Sequence, residues 1–99
     1  MSERATELHN SPWLGVFYLT GGGASLLAEL LNTPGASGTV LEASVPYANK
    51  ALSDLLGRAP DQATSAATAR QLAMAAYERA HVLGEGTLFG FGCTAALAT

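Results

Sequence analysis

The feature that most constrains the fold of this 99-residue chain is an apolar run that ends in three glycines. The run, Trp13 to Leu19, is short and uninterrupted, which predicts a buried β-strand. Thr20 follows the run, and after it come Gly21, Gly22 and Gly23, just ahead of a helical pattern. In open parallel sheets, ligands bind at the carboxyl ends of the strands. The glycine turn is therefore the first candidate for a binding site.

Strand and helix signals alternate through the rest of the chain. Apolar and β-branched runs predict two further strands, at residues 39–45 and 87–93. Apolar residues at helical spacing predict helices at 24–32, 47–56 and 65–82, and the many alanines of the last helix imply close packing. Because parallel strands are joined by helical crossovers, this order predicts an α/β fold with a mainly parallel sheet.

The length of the chain sets its domain organisation. So few residues allow one domain with a modest core, which we place at residues 13–99 behind a polar lead-in at 1–12. Three strands make a sheet that helices cover poorly, and the sequence stops directly after the third strand. We therefore expect a truncated domain that self-associates, packs against a fused or neighbouring domain, or has low stability.

Composition excludes several classes of partner. The net charge of −3 argues against binding nucleic acid or an anionic membrane surface. The longest apolar run is too short to span a bilayer, and the first residues lack the basic start and apolar core of a signal peptide. The sequence therefore predicts a cytoplasmic protein, and nothing in it indicates a cofactor.

Five other side chains capable of chemistry have no motif around them. His9 and His81 lack ligand-spaced partners, so we expect both at the surface and expect no metal site. Cys93, the single cysteine, is expected to pack in the interior rather than act as a nucleophile. Tyr47 lies at the carboxyl end of the second predicted strand, where it either joins the core or directs its hydroxyl at the ligand edge. Lys50, one helical turn later, is expected to be solvated.

The glycine turn has two interpretations. Backbone N–H groups in such a turn, together with a helix N-terminus, can face an anion, and the hydroxyls of Thr20 and Ser25 are close in sequence. However, Leu26 stands where the third glycine of a G-x-G-x-x-G motif would be, and no G-K-[ST] follows. A ligand loop and a simple structural turn both remain open, since glycine suits either.

Three segments carry a resemblance to a known family. "PGASGTVLEASVPYANKALSDLLG", "ATSAATARQLAMAAYERA" and "LFGFGCTAALAT" resemble the CinA C-terminal domain family, and the similarity runs from about Leu19 to the last residue. It covers roughly the N-terminal two thirds of the family domain and looks like a divergent branch in which this domain precedes a nucleotidyltransferase-like region. The resemblance implies a three-layer α/β/α fold with a nucleotide site at the strand ends. It also implies hydrolysis of the carboxamide of nicotinamide mononucleotide to nicotinate mononucleotide and ammonia.

The resemblance also implies roles for individual residues. In the ungapped register, which keeps the following helix in phase, the nucleophilic serine of the family corresponds to Thr20 and its tyrosine to Tyr47. These two are the candidate catalytic residues. The family lysine corresponds to Leu52, and Lys50 stands where the family has glutamate. A register with a two-residue insertion would instead bring Leu19 or Tyr18 near the nucleophile position. The candidate substrate-binding residues are Gly21, Gly22, Gly23, Ser25 and Thr94.

Two functions are consistent with these residues. The first is a nicotinamide mononucleotide amidohydrolase with an altered site, in which Thr20 attacks and the glycine N–H groups stabilise the oxyanion. Neither lysine nor histidine stands at the expected base position, and tyrosine is a poor base at its ordinary pKa. The second is therefore a non-catalytic nucleotide-binding or assembly module that accompanies a nucleotidyltransferase-like domain.

Overall fold

Strands and helices alternate as predicted within the residues that the computed structural model describes, 6–7, 9–21, 24–59 and 66–95. The elements are β1 (Trp13–Gly21), α1 (Ala24–Asn32), a 3₁₀ turn (Ala36–Gly38), β2 (Val40–Ser44), α2 (Asn49–Leu56), α3 (Ala66–Leu83) and β3 (Thr87–Ala95). The predicted strands and helices are confirmed, with ends that coincide or differ by one or two residues, except that residue 65, the predicted start of the last helix, lies outside the described residues. The largest consequence is at α2, which begins at Asn49 and leaves Tyr47 in the loop before it.

The sheet is parallel, with β1 in its centre. The strand order is β2-β1-β3. β1 pairs along its whole length with β3, from Trp13 opposite Thr87 to Gly21 opposite Ala95. Its pairing with β2 is shorter and ends with Tyr18 opposite Ser44. All three carboxyl ends therefore lie at one edge of the sheet, as the sequence predicts.

Helices cover both faces of the sheet, which gives three layers. Side chains alternate between the faces along each strand. On one face, Val16 and Tyr18 of β1 pack against α2 and α3 through a cluster that includes Leu52 and Leu72. On the other face, a second cluster packs against α1 and consists of Phe17, Leu19, Leu26, Leu27, Leu30, Val40, Ala43, Phe89, Phe91 and Cys93. Cys93 thus packs between sheet and helix, as expected.

Two glycines let α3 lie directly on β3. A Cβ atom at Gly90 would come within 2.4 Å of the carbonyl oxygen of Ala73, and one at Gly92 within 2.3 Å of that of Ala69. The alanines expected to pack closely do so, since Ala76 is fully buried against the sheet. Within the described part of the chain, no helix has the length and apolar character that crossing a membrane requires.

His9 is buried, so the expectation that it lies at the surface is wrong. Its Nδ1 is 2.7 Å from the hydroxyl oxygen of Thr39, and its Nε2 donates to the carbonyl of Leu30 at 2.9 Å. Gly35 is in the left-handed region at φ 95°, and its loop passes close to His9. A Cβ atom added at Gly35 would lie 3.1 Å from the His9 Cβ. These partners come from distant segments, which is why local sequence did not reveal them. His81 is exposed, as expected.

Candidate functional site

The carboxyl edge of the sheet brings two hydroxyl side chains together. Thr20 of β1 and Thr94 of β3 are direct partners across the parallel ladder. Because laterally paired residues of parallel strands point to the same face, both side chains lie on the side covered by α2 and α3. Thr20 is 9% exposed and Thr94 is half-buried. The strand register therefore places a candidate nucleophile, Thr20, beside a candidate binding residue, Thr94.

A third hydroxyl at this end was missed by sequence reasoning. Thr68 lies in the first turn of α3 and is 2% exposed. Its neighbour Ala69 lies over Gly92, so the start of α3 covers the carboxyl half of β3. The sequence signal that could have revealed Thr68 is its position as a threonine on the sheet-facing side of an alanine-rich helix.

Two residues separate β1 from α1. β1 ends at Gly21 and α1 begins at Ala24, so Gly22 and Gly23 alone connect them. Gly22 and Gly23 lie outside the described residues, and their predicted contact with a phosphate or oxyanion stays a prediction. Ser25 is exposed in the first turn of α1. The N-terminus of α1, where unpaired N–H groups and the helix dipole favour an anion, is thus at the edge that holds Thr20.

Tyr47 belongs to the same edge but not to a closed pocket. β2 ends at Ser44, opposite Tyr18, so the loop that holds Tyr47 leaves the sheet beside the end of β1. The Tyr47 side chain is 83% exposed. Convergence of its hydroxyl with that of Thr20 on one bound ligand stays a prediction.

No amine occupies the position that the resemblance assigns to the base. Leu52 is 3% exposed and packs with Val16 and Leu72 in the core. Lys50 lies in solvent, as expected, where its Nζ is 3.2 Å from a carboxylate oxygen of Asp54 and its side chain is 86% exposed. Neither residue 50 nor residue 52 of α2 therefore brings a lysine amine to Thr20.

The two histidines lie away from this edge. His9 bonds to Thr39, directly before the start of β2, and His81 lies in the last turn of α3, just before β3 begins. Both are therefore at the amino ends of the strands. No group of three or more His, Cys, Asp or Glu side chains that could hold a metal ion occurs among the described residues.

A polar network beneath the edge also escaped the sequence reasoning. The Tyr18 hydroxyl donates to Glu42 Oε2 at 3.4 Å, and Arg79 Nε donates to Glu42 Oε1 at 3.0 Å. Burial raises the pKa of Tyr18, and the negative charge of Glu42 raises it further. The sequence signal for this network was Glu42, a carboxylate within an otherwise apolar strand, but its partners depend on how the strands pair. The network joins β1, β2 and α3, and its Tyr18 lies two residues before Thr20 on the same face of β1.

These features define an α/β domain with a parallel sheet and with the threonines Thr20 and Thr94 at its carboxyl edge. A scan against protein families gives no match, and a search of curated proteins gives none at a significant level. Among solved structures, the chain is similar to the competence/damage inducible protein CihA from Agrobacterium tumefaciens, with 29% identity and a TM-score of 0.61. The match covers 79% of this chain and 51% of that chain. The fold is therefore CinA-like, and the chain spans about half the length of that protein.

Proposed function

We propose that this chain binds nicotinamide mononucleotide, or a closely related nucleotide, at the carboxyl edge of its sheet and acts on the carboxamide with an altered catalytic site. The observation that supports this most is the pairing of Thr20 with Thr94 directly below the glycine turn. The N-terminus of α1 offers N–H groups to the phosphate, and the threonine hydroxyls offer hydrogen bonds to the sugar or the amide.

The hydrolysis would proceed in two steps. The Oγ1 of Thr20 attacks the carboxamide carbon while its proton passes to a base, and collapse of the tetrahedral intermediate breaks the C–N bond and releases ammonia. Water then hydrolyses the ester, which gives the carboxylate and restores the Thr20 hydroxyl. Backbone N–H groups of Gly21, Gly22 and Gly23 would stabilise the oxyanion. Tyr47 is the candidate for the proton transfers.

A non-catalytic nucleotide-binding or assembly module is the second candidate. Two observations favour it: Leu52 is part of the core, and Lys50 is in solvent beside Asp54. Without a base near the nucleophile, a hydroxyl is weakly activated. Such a module would bind the nucleotide and serve a neighbouring nucleotidyltransferase-like domain.

Calorimetric titration with nicotinamide mononucleotide and an ammonia-release assay separate the two candidates. We expect Gly22→Val to weaken binding because a side chain there obstructs the turn, whereas Lys50→Ala, on the solvent side of α2, leaves binding unchanged. If ammonia is released, Thr20→Val should abolish release and Thr20→Ser, which keeps the hydroxyl, should preserve it.

Each outcome has one meaning. Binding without ammonia release supports the non-catalytic module. Release that survives Thr20→Val removes the hydroxyl from the mechanism and indicates a directly activated water. Failure of the wild-type chain to bind the nucleotide contradicts the amidohydrolase and the nucleotide-binding module, and leaves only an assembly module.

A further inference from the structure

Within the described residues, one buried side-chain oxygen lacks a hydrogen-bond partner, and it is Oε1 of Gln71 on α3. Buried polar atoms in folded proteins are nearly always paired. An unpaired acceptor costs free energy, because folding removes it from water without replacing the hydrogen bond. The same dry surroundings strengthen any hydrogen bond that the oxygen accepts from a ligand. Gln71 therefore offers a strong acceptor to a ligand that brings an N–H or O–H donor.

The turn of α3 that carries Gln71 lies close to the carboxyl edge of the sheet. A Cβ added at Gly92 would overlap atoms of residues 69–73, so this turn rests on Gly92. Gly92 is the ladder partner of Tyr18, which comes two residues before Thr20 on β1. Along the strands, Gln71 is therefore one row of side chains, about 7 Å, from the candidate nucleophile.

The Gln71 side chain leans toward that edge on the sheet side of α3. Cα–Cβ bonds in a helix tilt toward its N-terminus, and α3 begins over the carboxyl half of β3. Four residues after Gln71, Ala75 packs against the core cluster that contains Leu52, and four residues further Arg79 bonds to β2. Residues at this spacing lie along one side of a helix. The amide of Gln71 is therefore directed at the end of β1, on the face that holds Thr20.

A primary carboxamide is the group that complements this oxygen. Its –NH2 supplies two donors, whereas the carboxylate left after hydrolysis supplies acceptors only. A carboxamide held for attack by Thr20 has its nitrogen beside that residue, within reach of a side chain that leans over the next row. Gln71 is only partly buried, and the last torsion of a glutamine side chain is soft, so its amide can turn to the ligand without a shift of α3.

We propose that Gln71 selects the amide form of the nucleotide: its Oε1 accepts a hydrogen bond from the carboxamide –NH2 and is left unpaired beside a carboxylate. The inference rests on the proposed function, because it concerns the carboxamide of a nucleotide bound at the carboxyl edge. In the amidohydrolase the same preference favours release of the acid product. In a module that binds without hydrolysis it sets which nucleotide is bound.

Calorimetric titration with nicotinamide mononucleotide and with nicotinate mononucleotide, near neutral pH, tests the proposal. We expect the wild-type chain to bind the amide at least about tenfold more tightly, because only the amide pairs the buried oxygen. In Gln71→Met, which keeps the length of the side chain and removes the acceptor, the preference should fall below about threefold. Val82→Met is the matched control: Val82 is 73% exposed in the last turn of the same helix, and its replacement should keep the wild-type preference.

Urea unfolding of the same chains gives a readout without nucleotide. Gln71→Met should unfold at the urea concentration of the wild-type chain or a higher one, because it removes a buried oxygen that has no partner in the fold. A lower midpoint would show that the Gln71 amide is bonded within the folded chain, and would overturn the proposal.

Three binding results would also overturn it. The wild-type chain could bind both nucleotides equally, it could prefer the acid, or Gln71→Met could keep the wild-type preference. In all three cases a nucleotide still binds, so the failure is distinct from failure of the proposed function. A wild-type chain that binds neither nucleotide contradicts nucleotide binding and this proposal together.

Discussion

At the scale of single residues, the network of Tyr18, Glu42 and Arg79 makes stability depend on pH. Tyr18 is 6% exposed, and its hydroxyl donates a hydrogen bond to Glu42. Ionisation of the phenol inside the fold would therefore place a negative charge beside a carboxylate. Both burial and Glu42 therefore raise the Tyr18 pKa above the unfolded value of 10.0. Arg79 lowers it and offsets part of this effect.

The sign of the pH dependence follows from this shift. Because the folded pKa of Tyr18 is raised, the stabilisation that Tyr18 contributes to the fold is fully present below about pH 10. It is lost as the pH rises through the folded pKa. We predict that the free energy of unfolding falls above about pH 10 in the wild-type chain and falls less in Tyr18→Phe. Urea unfolding at pH 8 to 11 measures this. Tyr47→Phe, at a ring that folding leaves 83% exposed, should follow the wild-type profile; equal slopes in all three chains would contradict the prediction.

At the scale of elements, the contact of α3 with β3 depends on the absence of two side chains. A Cβ at Gly92 would lie 2.3 Å from the carbonyl oxygen of Ala69 and 2.5 Å from the amide nitrogen of Ala73. Both are backbone atoms, which cannot turn aside as a flexible side chain does. The helix would have to move away from the strand, and the core between them would open.

We predict that Gly92→Ala lowers the free energy of unfolding by about 1–3 kcal/mol or more. Gly38→Ala is the control: its nearest neighbour would be the His9 carbonyl oxygen at 3.8 Å, an ordinary contact, and its φ is not in the left-handed region. Denaturant unfolding compares the two variants. Equal stability of Gly92→Ala and Gly38→Ala would show that α3 is free to shift on β3.

Elements were predictable from the sequence because their signals are local. The apolar run of β1 and the alanine spacing of α3 lie within single segments, so their bounds were close to the observed ones. The burial of His9, by contrast, depends on Thr39 and Leu30, which only the folded chain brings near. The pairing of Thr20 with Thr94 depends on strand register in the same way. Tyr47 could be placed at the correct edge from its strand, but its exposure could not.

At the scale of the whole molecule, stability is limited because the described residues form a sheet of only three strands, with no further strand at either edge. The two clusters that hold the layers together are small, and large apolar side chains such as Met74 and Tyr77 remain exposed. We predict that the isolated chain self-associates or unfolds below the range of about 45–65 °C that is usual for mesophilic domains. Calorimetry and light scattering measure this, and a monodisperse monomer with a sharp transition at high temperature would contradict it.

The central place of β1 has a consequence for synthesis on the ribosome. β1 leaves the ribosome first, but the partner of Trp13 on its longer side is Thr87. At about 5–20 residues per second, several seconds pass before that partner is made. During this interval the most apolar segment of the chain can pair only with β2, and its unpaired side is a target for chaperones or for aggregation. Slowing translation between β1 and β3 should therefore lower the yield of folded protein more than slowing it after β3.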